Sequence, residues 1–296
     1  MKKAIALILA LVMCLSFAGC GTSSETQGGG ADDTSTESAS SEPSKAYEEP
    51  ESSGLSVQAG TVYEGNDVKI SVTGAEETQD EVKLSFLFES SSDLDLSFNV
   101  HAYSVNGVMT DNNIYEMGTS LPAGKKANNT LEISKDWMED IGAGDFQYAD
   151  ILFWAYDDAE SYKAFETDIV RVTADSFESD LEYESEEKSY DENGIEVGKM
   201  LFDRDTAYFS VINKTDSYFS FDMVSASVNG YGYDPGIQIY DKIVFPGAID
   251  VCEFELDDDF KEKNGMDEIE EVEFKLNYRP LDEYMDEETT GTIVLK

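Results

Sequence analysis

Apolar and polar residues alternate with a period of two along most of the chain. Val82, Leu84, Phe86 and Phe88 take every second position, and Leu96, Phe98, Val100 and Ala102 do the same a little further on. Phe209 and Val211, then Phe219, Phe221 and Met223, repeat the pattern. A period of two places one set of side chains on each face of an extended segment, which predicts strands with one buried and one wet face. Turn-forming residues separate the runs: Ser90-Ser91-Ser92-Asp93, Asn106-Gly107, Asn229-Gly230 and Asp234-Pro235-Gly236. Two short helices interrupt the strands. Ser134 is placed to cap Lys135–Ile141 before Gly142, and Asp257 or Asp258 to cap Asp259–Asn264 before Gly265.

These patterns are the two halves of an internal repeat. Shifted by 123 residues, Lys83–Gly107 aligns without a gap on Thr206–Gly230. Phe86, Asp93, Ser97, Phe98, Ser104, Val105, Asn106 and Gly107 meet Phe209, Asp216, Ser220, Phe221, Ser227, Val228, Asn229 and Gly230. The register persists through Leu131-Glu132-Ile133 against Phe254-Glu255-Leu256 and Gly142 against Gly265. The expectation is an all-β protein: two tandem immunoglobulin-like β-sandwiches at 61–175 and 188–296, each of about seven short strands with one short helix. An acidic linker, 176–187, joins them. A domain of that length buries about two-thirds of its surface and needs no disulfide.

The amino-terminal residues do not belong to this pattern. Lys2 and Lys3 precede an apolar run, Ala4 to Phe17, too short to span a membrane, and the small residues Ala18-Gly19 then lead to Cys20. That order is an export signal over 1–19. The segment Leu15-Ser16-Phe17-Ala18-Gly19-Cys20 resembles the lipobox of bacterial lipoproteins, with Phe17 where that family usually carries Leu. The resemblance implies cleavage before Cys20, a diacylglyceryl group on its thiol, and anchorage of the exported chain on the extracellular face of the cell membrane. Each buried methylene contributes about 0.8 kcal/mol, so two acyl chains hold firmly. Residues 20–60 then read as the lipidated cysteine and a flexible acidic tether rich in Ser, Thr and Gly, with Pro43 and Pro50. The whole plan is similar to Gram-positive surface lipoproteins with immunoglobulin-like domains of unknown function. Its marks are Cys20, the tether, and Ser-Val-Asn-Gly followed by Pro122-Ala123-Gly124 or Pro246-Gly247. That family supplies no catalytic residue.

Composition narrows the chemistry. The 63 acidic residues against 20 basic ones give a net charge of −43, which repels phosphodiester backbones and argues against nucleic-acid partners. One histidine and three cysteines exclude a multi-histidine zinc site and a disulfide scaffold. Once Cys14 leaves with the signal and Cys20 is lipidated, Cys252 is the remaining thiol. It lies in an alternating stretch beside Glu253, as a small buried hydrophobe does. His101 matches Val224 in the repeat and reads as a packing or sheet-face residue. Asp257-Asp258-Asp259 is the densest candidate for calcium, with Asp157-Asp158 and the loop Asp191-Glu192-Asn193-Gly194 behind it. Carboxylates at a helix start also favour the dipole without a metal. Tyr231, Tyr233 and Asp234 occupy a glycine-rich loop suited to a sugar or protein ligand, and the matching loop Val108–Asn113 lacks the rings. The expected function is a lipid-anchored extracellular binding, adhesion or presentation module without catalysis, its ligand a protein or a glycan. The alternative is an extracellular glycan-active hydrolase using paired carboxylates.

Overall fold

The structure is a computed structural model that describes residues 54–110, 117–159, 162–235, 238–280 and 287–296. The export signal, Cys20 and all but the end of the tether lie outside the described residues, as do Asp111 to Asn113 of the first-repeat loop. The first repeat holds β1 (Gly60–Gly65), β2 (Val68–Glu77), β3 (Glu81–Ser90), β4 (Leu96–Val105), β5 (Val108–Met109), β6 (Thr119–Leu121), β7 (Lys126–Ser134), β8 (Tyr148–Asp157), β9 (Tyr162–Glu166) and β10 (Val170–Thr173). The helix α1 (Lys135–Asp140) follows β7. The second repeat holds β11 (Glu187–Glu192), β12 (Ile195–Asp203), β13 (Thr206–Asn213), β14 (Phe219–Val228), β15 (Tyr231–Gly232), β16 (Lys242–Val244), β17 (Ile249–Glu255), β18 (Val272–Pro280), β19 (Glu288–Thr289) and β20 (Ile293–Leu295). The helix α2 (Asp258–Asn264) follows β17.

The strands form an all-β architecture of stacked sheets. One sheet runs β1-β2-β3-β7, one β15-β14-β18-β19, and between them lies a sheet of order β10-β8-β4-β5-β17-β13-β12-β11. The first sandwich packs the β1-β2-β3-β7 sheet on the β10-β8-β4 half of the shared sheet. Phe86, Phe88, Phe98 and Phe153 are fully buried between them, with ring centroids 5.1–5.8 Å apart for Phe88–Phe98 and for Phe153 against both Phe86 and Phe88. Truncating any one to alanine costs about 3–5 kcal/mol. The second sandwich packs the β17-β13-β12 half on β14 and β18, around Phe209, Phe221, Phe254 and Phe274. The alternation seen in the sequence is therefore the face that each strand turns inward.

One departure lies in β4. The alternation expects Ala102 on the same face as Val100, but a bulge between Val100 and Ala102 inverts the phase. Beyond it Tyr103 and Val105 join the first core, whereas Ala102 joins the second.

The repeat extends to single hydrogen bonds. Asn106 and Asn229 adopt positive φ of 53° and 50°, followed by Gly107 and Gly230 at 82° and 81°, so each Asn-Gly closes a tight hairpin. The Asn106 amide donates to the carbonyls of Ala143 (2.8 Å) and Asp145 (2.7 Å), and its Oδ1 accepts from the N–H groups of Gln147 and Tyr148. Asn229 does the same with Glu268 O (2.8 Å) and the N–H groups of Glu270 and Glu271. Thr167 and Thr290 likewise accept from Phe153 N and Leu276 N.

The two sandwiches meet edge to edge. At the meeting point β17 pairs with β5 in parallel at Ile249 and Val108, and Ile249 N donates to Gly107 O at 2.9 Å. The acidic segment between the repeats is fastened across this junction. Asp180 pairs with Arg171 (2.5 Å), the Tyr183 hydroxyl donates to Asn106 O (2.6 Å), and Ser185 N donates to Glu196 (2.5 Å). Gly198 permits that last contact, because a Cβ there would meet the Ser185 Cβ at 2.2 Å. Glu196 itself is fully buried against Lys188 (2.5 Å) and Lys214. Burial raises its carboxyl pKa, but the two ammonium groups and the Ser185 N–H outweigh that and hold it down at about 2.

A candidate binding groove in the first sandwich

The loop singled out in the sequence sits over the start of α2. Tyr231 lies in β15 with its side chain exposed, and Asp234 is exposed two residues beyond the strand. Tyr233 instead turns down. Its ring packs edge-on against Phe254 (5.1 Å) and Phe260 (4.7 Å), and its hydroxyl donates to Glu255 O at 3.3 Å. Burial raises its pKa. Gln238 lies alongside, where its amide accepts from Glu255 N (2.9 Å) and donates to Glu255 O (3.0 Å). The three predicted binding residues thus separate. Tyr231 and Asp234 face outward, and Tyr233 closes a slot in its own sandwich.

The same slot in the first sandwich is filled differently. Thr110 corresponds to Tyr233, and its backbone N–H bonds Tyr103 O (3.0 Å) as Tyr233 N bonds Ala226 O (2.9 Å). The Thr110 hydroxyl also folds back on Tyr103 O at 3.1 Å. It therefore does not reach over the strand edge. The ring comes from Tyr103 in place of Ala226, rising from β4 to lie 6.0 Å from Trp137, the counterpart of Phe260. In the first sandwich the ring is thus delivered from below. Beside it lies a groove of about 630 Å³, lined among the described residues by Tyr103, Trp137, Met117, Asp80, Glu81 and Glu132. That volume is in the usual range for ligand sites.

The groove has an aromatic floor and an acidic rim. Lys83 bridges Glu81 (2.8 Å) and Glu132 (3.1 Å), and the hydrogen bonds it donates to these carboxylates raise its pKa. Ser134 caps α1, which carries Trp137, by accepting from the Trp137 backbone N–H at 3.3 Å.

Other candidate residues have local tasks. Asp257 caps α2 by accepting from Phe260 N (2.7 Å), Asp258 pairs with Lys261 (2.8 Å), and α2 begins at Asp258. Among the described residues no group of three or more His, Cys, Asp or Glu side chains converges as a metal site would require. Asp157 accepts from Ala159 N at 2.8 Å, and Asn193-Gly194 is the positive-φ turn between β11 and β12. Cys252 is fully buried, 3.5 Å from Asp250. His101 lies on the bulge, stacked 3.4 Å from Trp154, and its Nδ1 is 3.0 Å from Glu166. Burial raises the Glu166 pKa, yet His101 and Lys163 together bring it below the usual carboxylate value.

Tyr103 and Trp137 were not legible as site residues from their own surroundings. The signal lay in the repeat: Tyr103 aligns with Ala226 where Thr110 aligns with Tyr233, a large-for-small exchange in both directions.

No protein-family model matches the chain. No curated protein matches it either. Among solved structures it is similar to the crystal structure of red sea bream transglutaminase, at 9% identity and a TM-score of 0.19, over 80% of this chain. The chain spans 31% of the length of that protein.

Proposed function

We propose that this protein is a lipid-anchored, exported binding module of the Gram-positive surface lipoprotein type, held at the outer face of the cell membrane through Cys20. Its first sandwich presents the ligand site and performs no catalysis. The observation that carries this reading is the contrast between equivalent slots. Tyr233 and Gln238 close one, while the other leaves a 630 Å³ aromatic and acidic groove. The lipobox-like segment and the acidic tether support the anchorage, since a tether lifts the sandwiches clear of the lipid surface. The acidic surface favours cationic over anionic ligands.

The test uses the full chain in vesicles. Trp137 and Trp154 are the two tryptophans, so Trp154→Phe leaves Trp137 as the fluorescent reporter of the groove. Soluble cell-wall glycans, host glycans, basic peptides and calcium are titrated in turn, with thermal unfolding in parallel. A ligand at 100 times its Kd adds about 2.7 kcal/mol, a rise of several degrees. The expected outcome is a Trp137 signal and a raised unfolding temperature with a glycan or a peptide. Silence from every probe would remove the binding reading. Equal membrane retention of a Cys20→Ser chain would remove the anchor.

A further inference from the structure

A second cavity, of about 380 Å³, lies where the two sandwiches meet, against the acidic segment that joins the repeats. Tyr148 and Arg171 line it from the first sandwich, Lys214 and Pro246 from the second, and Asp180 and Tyr183 from the joining segment. Each lining residue lies at least three positions inside a described stretch of chain.

One polar group in this cavity has nothing to bond. Tyr148 is 3% exposed, yet its hydroxyl has no hydrogen-bond partner among the described residues. The unpartnered polar atoms sealed from solvent are Ser104 Oγ and Trp154 Nε1, so the Tyr148 hydroxyl opens on the cavity. It lies over Gly107, where an added Cβ would stand 2.9 Å from it and 3.0 Å from the Tyr183 ring. Glycine at this turn is what lets both rings close in. Burial pushes the Tyr148 pKa up to about 12, so the hydroxyl keeps its proton at neutral pH.

Arg171 stands beside it, its guanidinium 4.3 Å from the centre of the Tyr148 ring. Its Nε and Nη2 donate to Asp150 at 2.6 and 2.7 Å, and its Nη1 donates to Asp180 at 2.5 Å. That fork uses three of the five N–H groups and holds the other two in place. Glu182 and Glu184 add acceptors along the joining segment, and Leu181, 47% exposed, adds an apolar edge. The second repeat has none of this chemistry: Glu271, Glu273 and Val294 stand where the first has Tyr148, Asp150 and Arg171.

We infer that this junction cavity binds a neutral saccharide, with the Tyr148 hydroxyl donating to one sugar oxygen and Arg171 and the carboxylates of the joining segment bonding neighbouring hydroxyls. A sugar hydroxyl donates and accepts at once, which matches a lining that offers both. Four carboxylates against Arg171 and Lys214 disfavour an anion. A cation without hydroxyls would leave the Tyr148 proton unused. The volume falls at the small end of the range of about 300–1,000 Å³ usual for ligand sites, which suits one or two sugar rings. This site is separate from the groove beside Trp137, and either can fail alone.

The experiment is a calorimetric titration of the full chain in vesicles with the methyl glycosides of glucose, galactose, mannose and N-acetylglucosamine. Glucuronate and butylammonium serve as the charged probes. At least one neutral glycoside is expected to bind, and glucuronate at least about tenfold more weakly. Tyr148→Phe removes the hydroxyl alone and is expected to weaken the bound glycoside by about three- to tenfold. The urea midpoint of that variant should not fall, since no bond within the chain is lost; a fall would show that the hydroxyl already serves the fold, and would overturn the site. Weakening by Tyr148→Phe that persists in a Trp137→Ala background supports the junction. Silence from every glycoside, or an affinity that Tyr148→Phe leaves unchanged, overturns it. Should Trp137→Ala then remove the binding, the sugar belongs to the groove of the first sandwich and the proposed function stands. Equal, Tyr148-dependent affinity for butylammonium overturns the saccharide class.

Discussion

Both sandwiches rest on one asparagine and part company at one aromatic slot. Asn106 binds two carbonyls and two amides, and Asn229 binds one carbonyl, the Met266 sulfur and two amides at the same offsets along the chain, so the hairpin after β4 and the hairpin after β14 are held to the following segment alike. A few residues on, the second sandwich swings Tyr233 over the slot from the loop, whereas the first raises Tyr103 from the strand beneath. Ring volume is nearly conserved and its direction of delivery is not. The lesson is that a duplicated scaffold keeps a ring at one place in its core while changing the element that delivers it.

The comparison breaks most visibly at the shared asparagine. Asn106 is buried and Asn229 is half-buried. Stranding buried partners costs about 1–3 kcal/mol for each group, and the positive φ adds to the cost of a β-carbon side chain. Asn106→Ala is expected to lose about 4 kcal/mol and Asn229→Ala about 2 kcal/mol, read as urea midpoints of the full chain. Equal losses would mean that burial does not separate the two sites.

Next comes a device that the second repeat has alone. Glu196 stands opposite Ile212 where Lys69 stands opposite Glu89, so the buried carboxylate and its two lysines have no counterpart in the first sandwich. Glu196→Gln breaks a buried ion pair and is expected to cost about 3 kcal/mol at pH 7. The folded pKa of about 2 lies below the ordinary 4.5, so this stabilisation is complete above about pH 5. It declines as the pH falls from there towards 2. Urea denaturation of both chains between pH 7 and 3 checks the slope, and a constant gap across that range would contradict it.

The slot itself sharpens the contrast through a double exchange. Tyr233→Thr imports the first sandwich's residue and is expected to cost about 2–3 kcal/mol, the price of an unfilled aromatic site. Ala226→Tyr added to it supplies the ring from below and should restore about half of the loss. Additive losses would show that the two slots are not interchangeable.

The smallest effects are at the helix starts. Ser134→Ala and Asp257→Ala each remove one cap and are expected to cost about 1 kcal/mol. The Asp257→Ala loss should be the same in calcium and in EDTA. A larger loss in calcium would turn the acidic cluster at 257–259 from a cap into a metal site.

Much of the fold was legible because its causes are local. Alternating Phe and Val residues specify which face of a strand is buried, Asn-Gly specifies the hairpin, and Ser134 and Asp257 specify helix starts within their own neighbourhoods. The bulge at His101 was not legible, since it depends on what β8 offers opposite. Nor was the division of labour in the tyrosine loop. Tyr231 and Tyr233 have the same surroundings in sequence, and only the distant Phe254 and Phe260 turn one of them inward.

The sequence by itself therefore determined the strands, the duplication, the charge and the expectation of a lipid anchor, because each follows from neighbouring residues or from a repeat that can be aligned. The tertiary structure alone decided that one sheet runs through both sandwiches, that the acidic segment between the repeats is fastened by Tyr183 and Ser185, and that a groove opens beside Trp137. Those outcomes depend on contacts between residues tens of positions apart, and such contacts are chosen by packing volume and by which buried polar groups still need partners.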